Sequence, residues 1–189
     1  MDLRELQEAA ASCTLCELSK GRLNPVFAKG DASSNIMICG MVPAMEENKV
    51  GKPFVGRAGK LLDNILDDVD IPRGSVYITN LVKCFLAAGL PLQSDWIDAC
   101  LPYLITQVGL TNPKVILTLG KDASMTLLGM DKKLALGKIR GKVYGFGRSH
   151  HTVVIPTYHP SYLLRKGGSN SKDYLKVIDD FLLAKDIAC

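Results

Sequence analysis

The sequence predicts a three-layer α/β/α domain built on a central, mainly parallel four-stranded sheet. Two observations carry this. The apolar runs NIMIC (35–39), VYITNLV (76–82) and VILTLG (115–120) are continuous rather than alternating, as in strands buried on both faces. Segments with apolar residues at helical spacing separate them, and strands that alternate with helices form parallel sheets covered on both sides.

Taken in order, Leu3, Leu6, Ala10, Cys13 and Leu18 predict a helix over 2–19. NIMIC is a short buried strand ending at Gly40. Leu61, Leu62, Ile65 and Leu66 give one apolar face to a helix over 57–69. VYITNLV is the second strand, and residues 94–107 form a helix capped by Ser94. VILTLG is the third strand, followed by a helix over 121–129. Residues 142–146 form a hairpin with TVVIP at 152–156, and a last helix, capped by Ser171, runs over 171–184. In such folds ligands sit beyond the carboxyl ends of the strands, which here are Gly40-Met41, Asn80, Gly120 and Pro156 to His159.

At 189 residues the chain is expected to be a single domain, 1–189, with one sizeable core. No apolar run approaches the roughly 20 residues that span a bilayer. The start, MDLRELQEAA, is amphipathic and acidic, unlike a secretory signal. A cytoplasmic monomer with no membrane partner is the expectation. The net charge of +4 permits a nucleic-acid partner without requiring one.

Six cysteines are many for an intracellular chain, where metal binding is a commoner use than disulfides. Cys39 lies in an apolar run and reads as core, and Cys189 as a free terminal thiol. Cys13 and Cys16 form a CxxC on the first predicted helix. Then come 67 residues and a C-x15-C pair, Cys84 and Cys100. That pattern admits zinc, an iron–sulfur cluster or simple burial.

The stretch GMVPAMEENKVGKPFVGRAG, Gly40 to Gly59, resembles the first catalytic motif of the family 4, iron–sulfur uracil-DNA glycosylases. The family form is GEAPG, a run ending in an acidic pair, then G-x-PFVG-x-AG. HPSYLLR, 159–165, matches the second family motif without change. CTLC, TNLVKC and ACLPYL match the contexts of the family's cluster cysteines. The resemblance covers nearly the whole chain. It implies a uracil-DNA glycosylase-like fold, and a 4Fe-4S cluster held by Cys13, Cys16, Cys84 and Cys100 that ties the N-terminal helix to a loop near the DNA.

The resemblance also assigns roles. A glycosylase takes its target base out of the stack into a fitted pocket and stabilises the negative charge growing on the departing base. Phe54 would stack on the flipped base; on sequence alone it reads equally as a core residue. Asn80 would pair with a pyrimidine edge through its amide, which carries one acceptor and two donors. It fits uracil, or cytosine if rotated, and its plain reading is a turn residue. His159 would donate to the base O2 as charge develops. Ser161 and Arg165 would meet phosphate, Leu163 would push into the duplex, and Lys83 and Lys166 would line the DNA path. Lys138, Arg140 and Lys142 are either further contacts or a solvated face. His150 and His151 read as structural.

The first motif departs from the family at its centre. Met41 stands where the family has a Glu that positions water or stabilises the cationic sugar. Val42 follows where family 4 has Ala and family 1 a catalytic Asp. Ala44 replaces a Gly. Glu47 keeps the register of the acidic pair, whose region walls off the C5 side of the base, and Glu46 stands beside it. Two explanations stay open. Either Asn80 and His159 suffice, with DNA phosphates supplying part of the charge stabilisation, at a slower rate or on a base that leaves more readily, or Met41, Val42 and Glu47 refit the pocket for a modified, phage-type pyrimidine excised in antiviral defence. Outside enzymes, the chain could be an inactive lesion-binding or DNA-binding protein on the same scaffold. GRAGKL, 56–61, is not a phosphate loop, because Phe54 and Leu61 occupy its first Gly and its Ser/Thr. With no lysine beside the motifs as a Schiff-base nucleophile, base release would be monofunctional.

Overall fold

The computed structural model describes residues 1–147 and 151–189. The reading of His150 lies outside them. Six strands form one sheet in the order β1-β3-β2-β4-β6-β5. Its centre is β3 (Tyr77–Asn80), β2 (Ile36–Gly40), β4 (Val115–Leu119) and β6 (Val153–Thr157), all parallel. These are the four expected strands. Two short antiparallel strands extend the edges: β1 (Ala28–Gly30) on β3, and β5 (Tyr144–Gly145) on β6. The second is the expected hairpin, cut to two residues. The first, AKG, has no apolar pattern to announce it.

Period-two alternation feeds a different core on each face. Ile36 and Ile38 of β2 point to one side with Leu117 and Ile155, beneath α4 (Arg57–Asp68) and α9 (Tyr174–Ala188). Met37 and Cys39 point to the other with Ile116 and Val154, beneath α5 (Ser94–Thr111). Cys39 is thus a core residue, fully buried. A smaller cluster of Leu6, Ala10 and Phe27 seats α1 (Leu3–Ser12).

Several expected boundaries move. The helix over 2–19 is two pieces, α1 and the single turn α2 (Leu18–Gly21). Cys13 turns to extended backbone as the C-cap of α1, so Cys13 and Cys16 lie in a connection rather than on one helical face. Neither Ser94 nor Ser171 is a cap. Gln93 precedes α5 without a side-chain bond. Ser171 Oγ accepts from the Asp173 N–H, 3.3 Å away, before α9 begins. The remaining α-helices among the described residues are α3 (Met45–Val50), α6 (Lys121–Leu128), α7 (Leu136–Ile139) and α8 (Pro160–Arg165). None of these helices is long and apolar enough to cross a membrane.

Chain order places the site. From β2 the chain moves to β3 on one side, and then returns to β4 on the other. The crevice beyond the carboxyl ends of β2 and β4 is therefore a topological switch point, where α/β sheets bind ligands.

Candidate active site

A cleft of about 690 Å³ opens at this switch point. Its wall carries Met41 and Val42 after β2, Asn80 at the end of β3, Gly120 after β4 and His159 after β6. Phe54, Glu47, Ser161 and Arg165 line it too. The expected catalytic and base-binding residues therefore meet in one place, although they span 119 positions, 41 to 159, of the chain.

Three glycines make room for them. A Cβ on Gly40 would stand 2.3 Å from Asn80 Oδ1 and 2.7 Å from the Phe54 ring. On Gly59 it would stand 1.8 Å from the Phe54 carbonyl oxygen. Gly120 has φ +95° and brings its backbone against the His159 side chain. Phe54 itself sits at φ 54°, costly for a bulky residue. Arg73 holds it there, donating to the carbonyls of Pro53 and Phe54 at 3.2 and 2.8 Å while pairing with Asp63. Phe54 is 5 % exposed, so it is both a core residue and the apolar floor of the cleft. Its ring lies 5.8 Å from that of His159.

The protonation of His159 follows from its bonds. Its Nδ1 accepts from the Ser161 N–H at 3.0 Å, as the N-cap of α8. The proton of the neutral ring must then sit on Nε2, which becomes a donor. Burial, and secondarily the Arg165 guanidinium, lower its pKa to about 4. Near neutrality the imidazole is an uncharged donor.

Asn80 is buried but lines the cleft, and its amide has no hydrogen-bond partner among the described residues. Lys83 fixes the turn beneath it. Its Nζ donates to Thr79 Oγ1 at 2.7 Å and to the Asn80 carbonyl at 2.6 Å. Burial lowers this ammonium's pKa to about 8. The expectation that Lys83 contacts DNA is therefore corrected: at 2 % exposure, with both bonds spent on β3, it cannot reach a phosphate. Leu163 is corrected likewise. It is fully buried, because α8 packs on α4 and drives that side chain into the core. Arg165 and Lys166 are exposed, and Ser161 is half-buried. Arg140 is not a DNA contact either, since it binds Asp180 and the Lys176 carbonyl. Lys138 and Lys142 are exposed, as is His151.

Two carboxylates reach the cleft wall, Glu47 and Asp122. Glu47 is 6 % exposed, and its oxygens accept from the N–H groups of Ala44 and Gly56 at 3.0 and 3.3 Å. It clips the GMVPA turn to the PFVG loop. Asp122, half-buried on the first turn of α6, escaped sequence reasoning because no motif surrounds it. Met41 and Val42 contribute only apolar surface.

Away from the cleft, Cys13, Cys16, Cys84 and Cys100 line one small pocket together with Arg22 and Tyr103. Arg22 donates to Cys84 Sγ at 3.1 Å, and the Lys83 backbone N–H to Cys100 Sγ at 3.2 Å. Burial raises the thiol pKa of Cys84 and Cys100, the latter to about 11, and neighbouring thiolates add to the rise. Among the described residues no three His, Cys, Asp or Glu side chains are gathered closely enough to hold a single metal ion. Cys189 is an exposed free thiol.

The family model of the uracil DNA glycosylase superfamily matches residues 27–182. The type-4 uracil-DNA glycosylase of Pyrobaculum aerophilum is 38% identical over 169 residues, 88% of this chain and 86% of that protein. The type-4 enzyme of Thermotoga maritima is 37% identical over 182 residues, 95% and 91% of the two chains. That of Archaeoglobus fulgidus is 33% identical over 165 residues, 86% and 83%.

Proposed function

Since this chain belongs to the uracil DNA glycosylase superfamily, we propose that it is a monofunctional DNA glycosylase that excises a flipped pyrimidine, with uracil the first candidate, and leaves an abasic site. The observation that carries this is the convergence of Asn80, Phe54 and the neutral Nε2–H donor of His159 on one cleft. The base stacks on Phe54 and pairs with the Asn80 amide. As the N-glycosidic bond breaks, its electron pair moves onto the base, and His159 donates to the O2 oxygen where that charge gathers. A neutral donor suits the task, because it stabilises charge without surrendering its proton. Water adds to the sugar carbon and loses its proton to the surrounding solvent. Asp122 is the cleft carboxylate not engaged by a backbone N–H among the described residues, which makes it the candidate to orient water in place of the family Glu that Met41 replaces. Arg165 and Ser161 meet the flanking phosphates.

The four thiols hold a 4Fe-4S cluster in this reading. The donor set is right and the four line one pocket; deprotonated, they would supply the four thiolates that such a cluster takes. Zinc would take the same four sulfurs at about 2.3 Å from one centre, so the metal content of the purified protein separates the two. Bound there, the cluster would tie together the N-terminal segment, the loop after β3 and α5.

A second reading concerns the base. The apolar wall at Met41 and Val42 suits a larger, modified pyrimidine of the kind found in phage DNA, which would make the role antiviral defence. Base release from uracil-containing single and duplex strands and from hypermodified phage DNA tests both. Uracil release that His159→Ala lowers about 10²–10³-fold, and Asp122→Asn by a smaller factor, supports the first reading. Release from modified DNA alone supports the second. Tight DNA binding without release from any substrate makes the chain a binding protein.

A further inference from the structure

Extruding a base leaves a gap in the stack, and proteins that unstack base steps commonly fill it with an apolar side chain. Leu163 cannot do this, being sealed in the core. One other apolar element stands at the mouth of the same cleft. After Cys84 the chain runs FLAAGLPLQ, residues 85–93, without a charged residue. Ala87 to Leu90 form a turn closed by the Leu90 N–H on the Ala87 carbonyl at 3.2 Å, with Gly89 at φ +86°. A positive φ at the third position is what a type II turn demands. Both ends of the turn are anchored. Leu86 is buried and its N–H meets the Pro43 carbonyl at 3.4 Å, while Leu92 packs on the α5-side core. The tip itself is bare. Leu90 is 57 % exposed on the cleft wall, followed by Pro91, whose ring stiffens the exit.

We propose that Leu90 is the wedge that enters duplex DNA behind the flipped base, an inference that rests on the glycosylase reading above. The occupant is a polyanion with an apolar interior, because the same cleft presents the exposed cations Lys121 and Arg165 beside the apolar tip. Cations for phosphates and a leucine for the stack match duplex DNA in both respects. The anchored turn allows the side chain to enter without a loop rearrangement, and its continuity with the pocket of Asn80 and His159 puts it beside the extruded nucleotide.

The experiment compares wild type, Leu90→Ala and Leu90→Phe on one target base in duplex and single-stranded DNA of the same sequence. A 2-aminopurine next to the target reports unstacking. Leu90→Ala is expected to lower duplex excision about tenfold or more relative to single-strand excision, since the unstacked step is then left unfilled. It should also suppress the 2-aminopurine rise, and Leu90→Phe should restore both. Equal loss on the two strands, or loss on neither, would overturn the wedge. A wild type inactive on both strands would instead sink the glycosylase reading, and the 2-aminopurine signal with and without Leu90 would still decide the wedge.

Discussion

The chemistry of the cleft rests on one proton position. Because His159 Nδ1 accepts from the chain it caps, Nε2 carries the hydrogen that, in the proposed reaction, meets the base. With its pKa lowered from 6.5 to about 4, chiefly by burial, the ring stays neutral where a free histidine titrates. Single-turnover excision measured from pH 8 down to 5 should therefore show no inflection near 6.5. Stability should behave differently. Between these two pKa values the unfolded chain binds a proton that the folded chain refuses, so stability falls as pH drops from about 6.5 toward 4. His159→Ala should flatten that part of the pH–stability curve, measured by urea unfolding at each pH.

Among elements, the end of β6 is held to α9 by a buried carboxylate. Asp180 is 1 % exposed and accepts from Thr157 Oγ1 at 2.5 Å and from the Arg140 guanidinium. Burial raises its pKa against the pull of both partners. The backbone of Gly141 passes close enough that a Cβ would stand 2.6 Å from Asp180 Oδ1. Thr157 lies two residues before His159, so this network fixes the strand that delivers the donor. Asp180→Ala should cost about 3–5 kcal/mol by stranding Arg140, read as a lowered denaturant midpoint. On the opposite side Arg73 does the same for Phe54. Arg73 was not legible in the sequence, because nothing in RGS at 73–75 points to a loop twenty residues upstream.

For the whole molecule, the thiol pocket and the cleft share one segment, since Cys84 opens the loop that carries Leu90. If the proposed cluster ties Cys84 to the N-terminal segment, losing it should loosen that loop, α1 and α2, including Leu18 at the edge of the α5-side core, while leaving the core beneath α4 and α9 intact. Purified protein should contain about four iron and four acid-labile sulfide per chain. Cys84→Ser should lose iron and melt earlier, and its 1–22 segment should be cut first in limited proteolysis. Zinc in place of iron, or full stability without either, would overturn the cluster assignment.

Local signals in the chain were enough to read the parallel centre of the sheet, the strand ends around the cleft, and the placing of Asn80, Phe54 and His159 along it. Continuous apolar runs and contiguous motifs are local signals, and each survives folding unchanged. They also placed Cys39 in the core. Which side of each element faces the cleft was not legible in this way. Lys83 and Leu163 sit inside good motifs, yet β3 and α8 turn them inward, where a polar strand end bonds the one and the core takes the other. Asp122 and Leu90 belong to no motif and reach the cleft only because α6 and the turn after Cys84 fold over its rim. A side chain's direction is set by the packing of whole elements against one another. That is a property of distant residues together, and no short stretch of sequence holds it.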